Sequence, residues 1–395
     1  MSIPDRPPVA LRRVLSFWPL VFYGLSVIVG AGIYVAIGAV IERAGKAAPI
    51  SFLLSGLAAA ATGLCYAELA GRFPEAAGAV AYVRRGFGSN RLALATGAAM
   101  TLAVAIAAAS IARGAVFYLE ALAPLPAALW VVIVIAGFTA VALAGVRESV
   151  GLAALLGVVE IAGLLAAMAA GLLASPEWHV AGLVPTGWDA WRGTIAGAFI
   201  AFFAFIGFET LANLAEEVRD PQRTLPRGII AAVAASIALY VAVAYVAVLA
   251  GGDRVNPLLG LFEGAGASAF ALVAAIAVAN GVLVQIVLLA RLFYGMARAG
   301  ELPAVLARVD PRTRTPVAAT LLGGAIILAA ALLLSFERLL VLANAVTLAV
   351  FTLVDLALWR VQRTAAAAPS AAIPRWIPPV AAVLSVTLML AELAF

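Results

Sequence analysis

The apolar residues of this chain are grouped in long runs. They do not follow the three-to-four-residue spacing of an amphipathic helix. Long apolar runs recur from Phe17 to Phe395, and only short polar stretches separate them. A helix needs about 20 mostly apolar residues to cross the hydrocarbon core of a bilayer. The pattern therefore predicts eleven membrane-spanning helices. The predicted spans are 16–40, 47–70, 92–119, 125–144, 151–174, 194–215, 228–250, 267–290, 317–335, 339–359 and 376–394.

The composition excludes a water-soluble fold of this size. Of the 395 residues, 65% are hydrophobic and only 11% are charged, which is too little polar surface to cover a soluble globule. We therefore expect an all-α membrane protein of about eleven helices whose solvent is membrane lipid.

The basic residues predict the orientation in the membrane. Loops on one side carry eighteen of the 25 Arg and Lys residues, and loops on the other side carry five. Because short loops rich in these residues stay in the cytoplasm, we expect a cytoplasmic N-terminus and, with eleven spans, a periplasmic C-terminus in a bacterial inner membrane. Topology thus accounts for the net charge of +5, and no nucleic-acid partner is expected.

Two spans carry glycines where a helix would break. Span 1 contains Gly30 and Gly32, and span 6, five helices later, contains Gly207. Glycine reaches backbone angles that other residues resist and lets a ligand approach the main chain. Interrupted helices at matching positions of two halves are typical of transporters built from inverted repeats. The alternative is that these glycines only allow close helix packing.

This interpretation divides the chain into two five-helix halves. The predicted parts are a cytoplasmic N-terminus (1–15), a first repeat with helices 1–5 (16–174), an external loop (175–193), a second repeat with helices 6–10 (194–359), and a connection with helix 11 (360–395).

Four segments, 29–34, 66–76, 203–209 and 215–227, carry a resemblance to a known family. They read VGAGIY, YAELAGRFPEA, FAFIGFE and AEEVRDPQRTLPR. With them the chain resembles the amino acid-polyamine-organocation (APC) superfamily, and within it a bacterial amino acid permease. The resemblance implies a five-plus-five inverted-repeat fold with discontinuous helices 1 and 6, alternating access, an amino acid substrate and no cofactor other than a coupling proton.

The resemblance also implies a substrate site on the main chain of both breaks. By motif position, Ala31 and Gly32 offer N–H groups to the substrate carboxylate, and Ile28, Phe203 and Ile206 offer carbonyls to its ammonium. The aromatic ring of Phe203 would serve as a lid. The candidate substrate-binding residues are Ile28, Gly30, Ala31, Gly32, Phe203, Ala204, Ile206 and Gly207.

Glu160, near the middle of span 5, is the candidate for proton coupling. An ionisable group at bilayer depth costs about 2.5–3.5 kcal/mol on insertion scales, so it is a candidate for function. By resemblance, Glu160 lies where proton-coupled relatives hold a Lys and sodium-coupled relatives hold a cation. The alternatives are a carboxylate that engages a cationic partner and a permanent hydrogen bond to a neighbouring helix.

Further charged residues are candidates for gating. Glu209 follows the span 6 break and is expected to hydrogen-bond freed backbone groups, or else to contact a cationic substrate. A salt-bridge network is expected to hold the gate on the cytoplasmic side closed. The alternative is that the arginines after span 6 only fix the orientation of the chain in the membrane. The candidates for this network are Glu68, Arg72, Glu216, Glu217 and Arg223.

Other polar residues within spans are expected to be structural. Asn280 and Asn344 should make interhelical hydrogen bonds. Asp355 should anchor the end of span 10 by reaching Arg360. Arg113 in span 3 should snorkel toward the interface.

These residues favour a transporter over other classes. Cys65 and His179 are the only residues of their types, so no metal site or disulfide can be built from them. A membrane enzyme would need a nucleophile with a base or a metal cluster, and a channel would need repeated polar pore-lining rings; neither is evident. We expect a secondary transporter of neutral, apolar amino acids by proton coupling or exchange, with a carrier of cationic amino acids or polyamines as the alternative. The oligomeric state is open.

Overall fold

The described part of the chain is helical. A computed structural model describes residues 13, 15–73, 78–174, 182–215, 217–249, 256–298, 300–364 and 372–394, without the side chains of 146–155 and 393–394. His179 lies outside the described residues. No β-strand occurs in these ranges. The helices are α1 (Phe17–Val29), α2 (Ala31–Ala44), α3 (Ala48–Arg72), α4 (Gly78–Phe87), α5 (Asn90–Leu119), α6 (Ala127–Ala144), α7 (Val146–Ala174), α8 (Trp188–Ala201), α9 (Pro221–Leu249), α10 (Gly264–Arg298), α11 (Val317–Leu333), α12 (Phe336–Thr364) and α13 (Ile377–Ala394).

Length and hydropathy identify the helices as membrane spans. Within the described residues, eight helical stretches are long and apolar enough to cross a bilayer, and three shorter apolar helices accompany them. One stretch, Ala31–Arg72, joins α2 and α3 through the 3-10 turn Gly45–Ala47 and so covers parts of two predicted spans. Each predicted span overlaps a helix, and the predicted all-α membrane fold is confirmed.

Several helices extend beyond the predicted apolar runs. The helices α7, α9 and α10 begin or end several residues outside the apolar segments, in polar sequence. Backbone hydrogen bonds continue past the hydrocarbon core, so hydropathy underestimates helix length. Pro221 opens α9, a position where its missing N–H costs nothing. The ten-residue helix α4 was not predicted, because it is too short to span and carries Arg84 and Arg85 in its last turn.

Hydrogen bonds between helices fix their packing at the positions of small polar residues. Ser51 and Ser55, one turn apart on α3, donate to the Thr194 and Ala198 carbonyls of α8. On α12, the Asn344 amide donates to the Phe199 carbonyl at 2.7 Å, which confirms the interhelical bond expected of this residue. A polar group that would be costly in hydrocarbon therefore joins two helices.

Of two predictions about charged residues within spans, one is wrong and one stays a prediction. The Arg113 guanidinium donates to the Ala331 carbonyl at 2.6 Å and so caps the last turn of α11, while its snorkelling toward the interface stays a prediction. Asp355 does not pair with Arg360. The Thr62 hydroxyl donates to the Asp355 carboxylate at 3.0 Å, while the Arg360 guanidinium lies 5.0 Å from the centre of the Phe87 ring.

Candidate substrate and coupling site

Gly30 interrupts the first membrane span. The helix α1 ends at Val29, Gly30 has φ −41° and ψ −146°, and α2 begins at Ala31. The first N–H groups of α2 have no intrahelical acceptor, and no side chain caps them. These donors lie at the positive end of the helix dipole, an arrangement that suits an anion such as a carboxylate.

The sixth span breaks over a longer segment. The helix α8 ends at Ala201, and the 3-10 turn Phe202–Phe205 is followed by Ile206 in extended geometry. Gly207 then has φ +133°, a conformation that favours glycine, before the 3-10 segment Phe208–Leu214. Both interruptions predicted from glycine positions are therefore present in the fold.

Glu209 lies directly at the second break. Its carboxylate accepts a hydrogen bond of 2.8 Å from the Gly207 N–H. The Thr210 hydroxyl donates to the Gly207 carbonyl at 2.6 Å. The N–H and the carbonyl of Gly207 are thus both hydrogen-bonded to neighbouring side chains. Backbone groups within a membrane require such partners.

The two breaks touch each other. A Cβ atom on Gly32 would lie 2.7 Å from the Ala204 Cα, and one on Gly207 would lie 3.1 Å from the Val27 carbonyl oxygen. Glycine is therefore needed at both positions for the close approach of the two main chains.

Tyr240 of α9 connects the two interrupted helices. Its buried hydroxyl donates to the Ile28 carbonyl at 2.6 Å and lies 2.9 Å from the Ala204 carbonyl oxygen. Sequence reasoning missed this residue. The available signal was a tyrosine within an otherwise apolar span, since a buried hydroxyl requires a partner.

The predicted substrate residues differ in exposure. Phe203 is 4% exposed, and the backbone at Ile28, Gly30 and Ala31 is likewise buried. Gly32 and Ile206 are only half-buried. The Phe203 carbonyl already accepts from the Ile206 N–H at 3.3 Å. Among these residues, Gly32 and Ile206 are therefore the more accessible ones.

Glu160 of α7 faces the first break. The carboxyl group is buried, and its Oε1 accepts from the Asn280 amide of α10 at 3.0 Å. The Oε2 atom has no hydrogen-bond partner among the described residues and lies 3.6 Å from the position of a Cβ on Gly30. The interhelical bond expected of Asn280 is confirmed, and its partner is the candidate coupling residue.

Aromatic hydroxyls fix the backbone around Glu160. The Tyr34 hydroxyl of α2 donates to the Glu160 carbonyl at 2.6 Å, and the Tyr118 hydroxyl of α5 donates to the Tyr34 carbonyl at 2.9 Å. A shift of α2 would therefore be transmitted directly to the part of α7 that carries the carboxylate.

Glu68 is the centre of a polar junction at the C-terminal end of α3. Its Oε1 pairs with the Arg72 guanidinium at 2.6 Å. Its Oε2 accepts from the Gln362 amide of α12 and from the Ile373 N–H, both at 2.8 Å. The carboxylate thus joins α3, α12 and the segment that enters α13.

A backbone contact joins the N-terminal segment to the residues after span 6. The Leu15 N–H donates to the Glu217 carbonyl at 3.0 Å, and the Arg219 N–H donates to the Leu15 carbonyl at 2.8 Å. The structure does not bring Glu217 to the Glu68 carboxylate, and Arg223 contributes its N–H to the Asp220 carbonyl at 3.1 Å. Glu216 lies outside the described residues.

Comparison with known proteins places this architecture among transporters. The family model described as amino acid permease matches residues 15–395. The chain is 32% identical to cationic amino acid transporter 4, vacuolar, of Arabidopsis thaliana, over 89% of this chain and 64% of that protein. It is 31% identical to the methylthioribose transporter of Bacillus subtilis, over 88% of this chain and 81% of that protein. An uncharacterized transporter of Mycobacterium tuberculosis is 34% identical, over 84% of this chain and 75% of its own length.

The chain thus spans slightly less than two thirds of the plant relative named here. These matches confirm the resemblance to the APC superfamily and the transporter class, as opposed to an enzyme.

Proposed function

Because this chain belongs to the amino acid permease family, we propose that it is a secondary active transporter of a neutral, apolar amino acid. It works in a bacterial inner membrane by alternating access, with proton coupling or exchange. The observation that carries the proposal is the contact of two interrupted helices at Gly32 and Ala204, beside the buried carboxyl group of Glu160.

Substrate recognition rests on main-chain groups. The unpaired N–H groups at the start of α2, at Ala31 and Gly32, receive the carboxylate. Carbonyls of the second break receive the ammonium, and Ile206 is a half-buried residue among those that supply them. The carbonyls of Ile28 and Phe203 already have one donor each, but a carbonyl oxygen has two lone pairs and accepts a second.

The side chains near the breaks favour an apolar substrate. Ile28, Phe203 and Ile206 are apolar, and Ile111 reaches the same place, because a Cβ on Gly281 would touch both Ile111 and Ala31. The Oε2 atom of Glu209 is engaged with the Gly207 N–H, which supports a structural role for this carboxylate rather than contact with a substrate cation. These apolar residues therefore match an aliphatic side chain of the substrate.

Glu160 supplies the proton-binding group of the proposed mechanism. Asn280 holds Oε1, which leaves Oε2 beside Gly30 to bind and release the proton. A proton on Oε2 removes a negative charge next to the break, where the bound substrate and α2 meet. Loading of proton and substrate would thereby favour the same conformation of α2.

Transport by the Glu160→Gln variant tests this coupling. In proteoliposomes, the variant should lose accumulation driven by a pH gradient while it retains exchange of substrate, because glutamine keeps the contact with Asn280 but binds no proton. The control is Glu337→Gln, which changes an exposed carboxylate in the first turn of α12. Concentrative uptake by Glu160→Gln at the control rate would contradict proton coupling through this residue.

A cationic substrate is the second candidate. Two observations favour it: the Oε2 atom of Glu160 lacks a hydrogen-bond partner in the described part, and four similar proteins of Arabidopsis thaliana are named cationic amino acid transporters. In this alternative, the carboxylate binds a basic side chain of the substrate directly. The structure offers that side chain one acceptor close to Gly30.

Thermal stabilisation of the purified protein separates the candidates. The panel contains leucine, arginine, putrescine and methylthioribose. Stabilisation by leucine alone supports the proposal, and stabilisation by arginine or putrescine supports the cationic alternative. Methylthioribose has no α-carboxylate or ammonium, so preferential stabilisation by it would overturn recognition of an amino acid core by the two breaks.

A further inference from the structure

A second buried carboxyl group lies away from the two breaks, between α3 and α12. Asp355 of α12 is fully buried, and its Oδ2 accepts a hydrogen bond of 3.0 Å from the Thr62 hydroxyl of α3. Its Oδ1 has no hydrogen-bond partner among the described residues. The proposed coupling mechanism through Glu160 does not use this group.

The neighbouring tyrosine is also left without a partner. Tyr66, one turn after Thr62 on α3, is fully buried, and its hydroxyl makes no hydrogen bond in the described part of the chain. Its ring centre lies 5.6 Å from that of Phe351, which is one turn before Asp355 on α12. Buried polar atoms in native proteins are paired in the great majority of cases. Two such atoms in one neighbourhood are compatible with a bound proton or water molecule.

No basic side chain balances Asp355 within the described residues. Arg360, on the same helix, lies over the Phe87 ring, Arg72 pairs with Glu68, and Arg113 donates to Ala331. An uncompensated carboxylate at such a position costs several kcal/mol by order of magnitude. The other titratable or charged groups on elements packed against α12 are Cys65, Tyr66 and Glu68 of α3, Tyr82, Arg84 and Arg85 of α4, Arg91 and Tyr118 of α5, Asp189 and Arg192 of α8, and Glu392 of α13.

The neighbours that hydrogen-bond to Asp355 in the described part of the chain, Thr62 and Cys65, are not basic. The Cys65 thiol is a further hydrogen-bonding neighbour of the carboxyl group, but it carries no charge. Tyr118 donates to the Tyr34 carbonyl, and Arg91 occupies the first turn of α5. Asp189 lies in the first turn of α8. A cation, and most simply a proton, therefore fits the chemistry of the site.

We propose that Asp355 is a second proton-binding site of this transporter, with the proton on Oδ1 and the Thr62 hydroxyl bonded to Oδ2. The protonated Oδ1 donates to the Tyr66 hydroxyl or to a water molecule held between the two. When the site discharges, the O–H bond breaks, the proton passes to water, and an anion remains between α3 and α12.

The charge on Asp355 then governs the contact of α12 with α3. A neutral Asp355 is compatible with close packing, whereas the anion requires water and so favours separation of the two helices. Further along the same two helices, Gln362 of α12 contacts Glu68 of α3, at the cytoplasmic end. The site is therefore placed to link proton release toward the cytoplasm with opening on that side, independently of Glu160.

Infrared difference spectroscopy of the full-length protein in lipid tests the proposal directly. Spectra recorded across a pH titration should contain a protonated-carboxyl band that is absent in Asp355→Asn and present in Glu160→Gln. Thr62→Val should shift the frequency of this band without removing it, because the carboxyl group loses its hydrogen-bond donor. A band set in Asp355→Asn identical to that of the unmodified protein would overturn the proposal.

A transport measurement guards against misfolding as the cause of a missing band. Asp355→Asn in proteoliposomes should retain substrate exchange but lose its dependence on the pH of the compartment facing the cytoplasmic ends. Glu337→Gln on the same helix is the matched control and should behave like the unmodified protein. An unchanged dependence on that pH in Asp355→Asn would equally refute the site. The two measurements on Asp355→Asn can be interpreted even if the Glu160→Gln test fails. Asp355 lies between α3 and α12, whereas Glu160 lies between α7 and α10.

Discussion

The main chains of Gly32 and Ala204 are packed so closely that a Cβ atom on residue 32 would lie 2.7 Å from the Ala204 Cα. Gly32→Ala should therefore force the two interrupted helices apart. We expect initial uptake in proteoliposomes to fall at least tenfold. The main-chain groups of the two breaks that are proposed to bind the substrate would no longer lie at the right distance from each other. Overpacking of this kind costs about 1–3 kcal/mol of stability.

Gly137→Ala is the matched control for this prediction. No atom lies within 4 Å of the position of its Cβ, on the exposed face of α6. Alanine should leave uptake unchanged there, and stability should stay equal or rise by about 0.5–1 kcal/mol, as for a glycine replaced within a helix. Uptake by Gly32→Ala at the rate of this control would show that the close approach is dispensable.

Tyr240→Phe should remove the hydroxyl that connects the two interrupted helices and so lower the stability of the protein. The substitution keeps the ring and removes the hydroxyl that bonds the Ile28 carbonyl and approaches the Ala204 carbonyl. Buried carbonyls left unpaired cost about 1–3 kcal/mol, so thermal stability and uptake should both decrease. Tyr294→Phe, whose hydroxyl has only an exposed 3.5 Å contact with Arg298, should leave both unchanged. Equal stability of the two variants would contradict the bridging role of Tyr240.

Glu68→Ala should release α12 and the start of α13 from α3. The change leaves the Gln362 amide, the Ile373 N–H and the Arg72 guanidinium without this shared acceptor. Removing one partner of a buried ion pair costs about 3–5 kcal/mol. Thermal unfolding in detergent measures the loss. Glu301→Ala, at an exposed carboxylate after α10, is the control, and a loss no larger than in that variant would argue against the junction.

Asp310 should make the loop before α11 sensitive to strong acid. The Thr313 and Arg312 N–H groups donate to its carboxylate and lower its pKa from the usual value of 3.8. A lowered pKa in the folded protein means stabilisation that is present above the unfolded value and disappears as pH falls through the folded value. Asp310→Ala should therefore lower stability at pH 7, and the difference should vanish well below pH 3.8. A difference independent of pH would contradict this role.

The positions of the breaks could be predicted from sequence because glycine is a local signal. Gly207 adopts φ +133°, which few other residues tolerate, and Gly30 separates two helices within one apolar run. Glu160 stood out for a similar reason, since a carboxyl group in an apolar span is costly wherever the chain folds. Helix α4 was missed because no hydrophobic run marks it.

The hydrogen-bond partners of the buried carboxyl groups could not be predicted from the sequence. The residues that engage Glu160 and Asp355 are Asn280 and Thr62, which are separated from them by 120 and 293 positions. Likewise, Asp355 and Arg360 are near neighbours in the chain, yet they face different surroundings. Spacing along one helix can suggest that two charged residues pair. Whether they do so depends on the partners that the neighbouring helices offer to each of them.

The sequence by itself determined that this protein is a multi-pass helical membrane transporter with two interrupted spans, because hydropathy and glycine act locally along the chain. Only the tertiary structure decided what those interruptions contact: Ala204 against Gly32, Tyr240 across both breaks, and Glu160 beside Gly30. The physical reason is that these contacts join residues far apart in the chain, and their distances follow from the packing of helices, which no local pattern encodes.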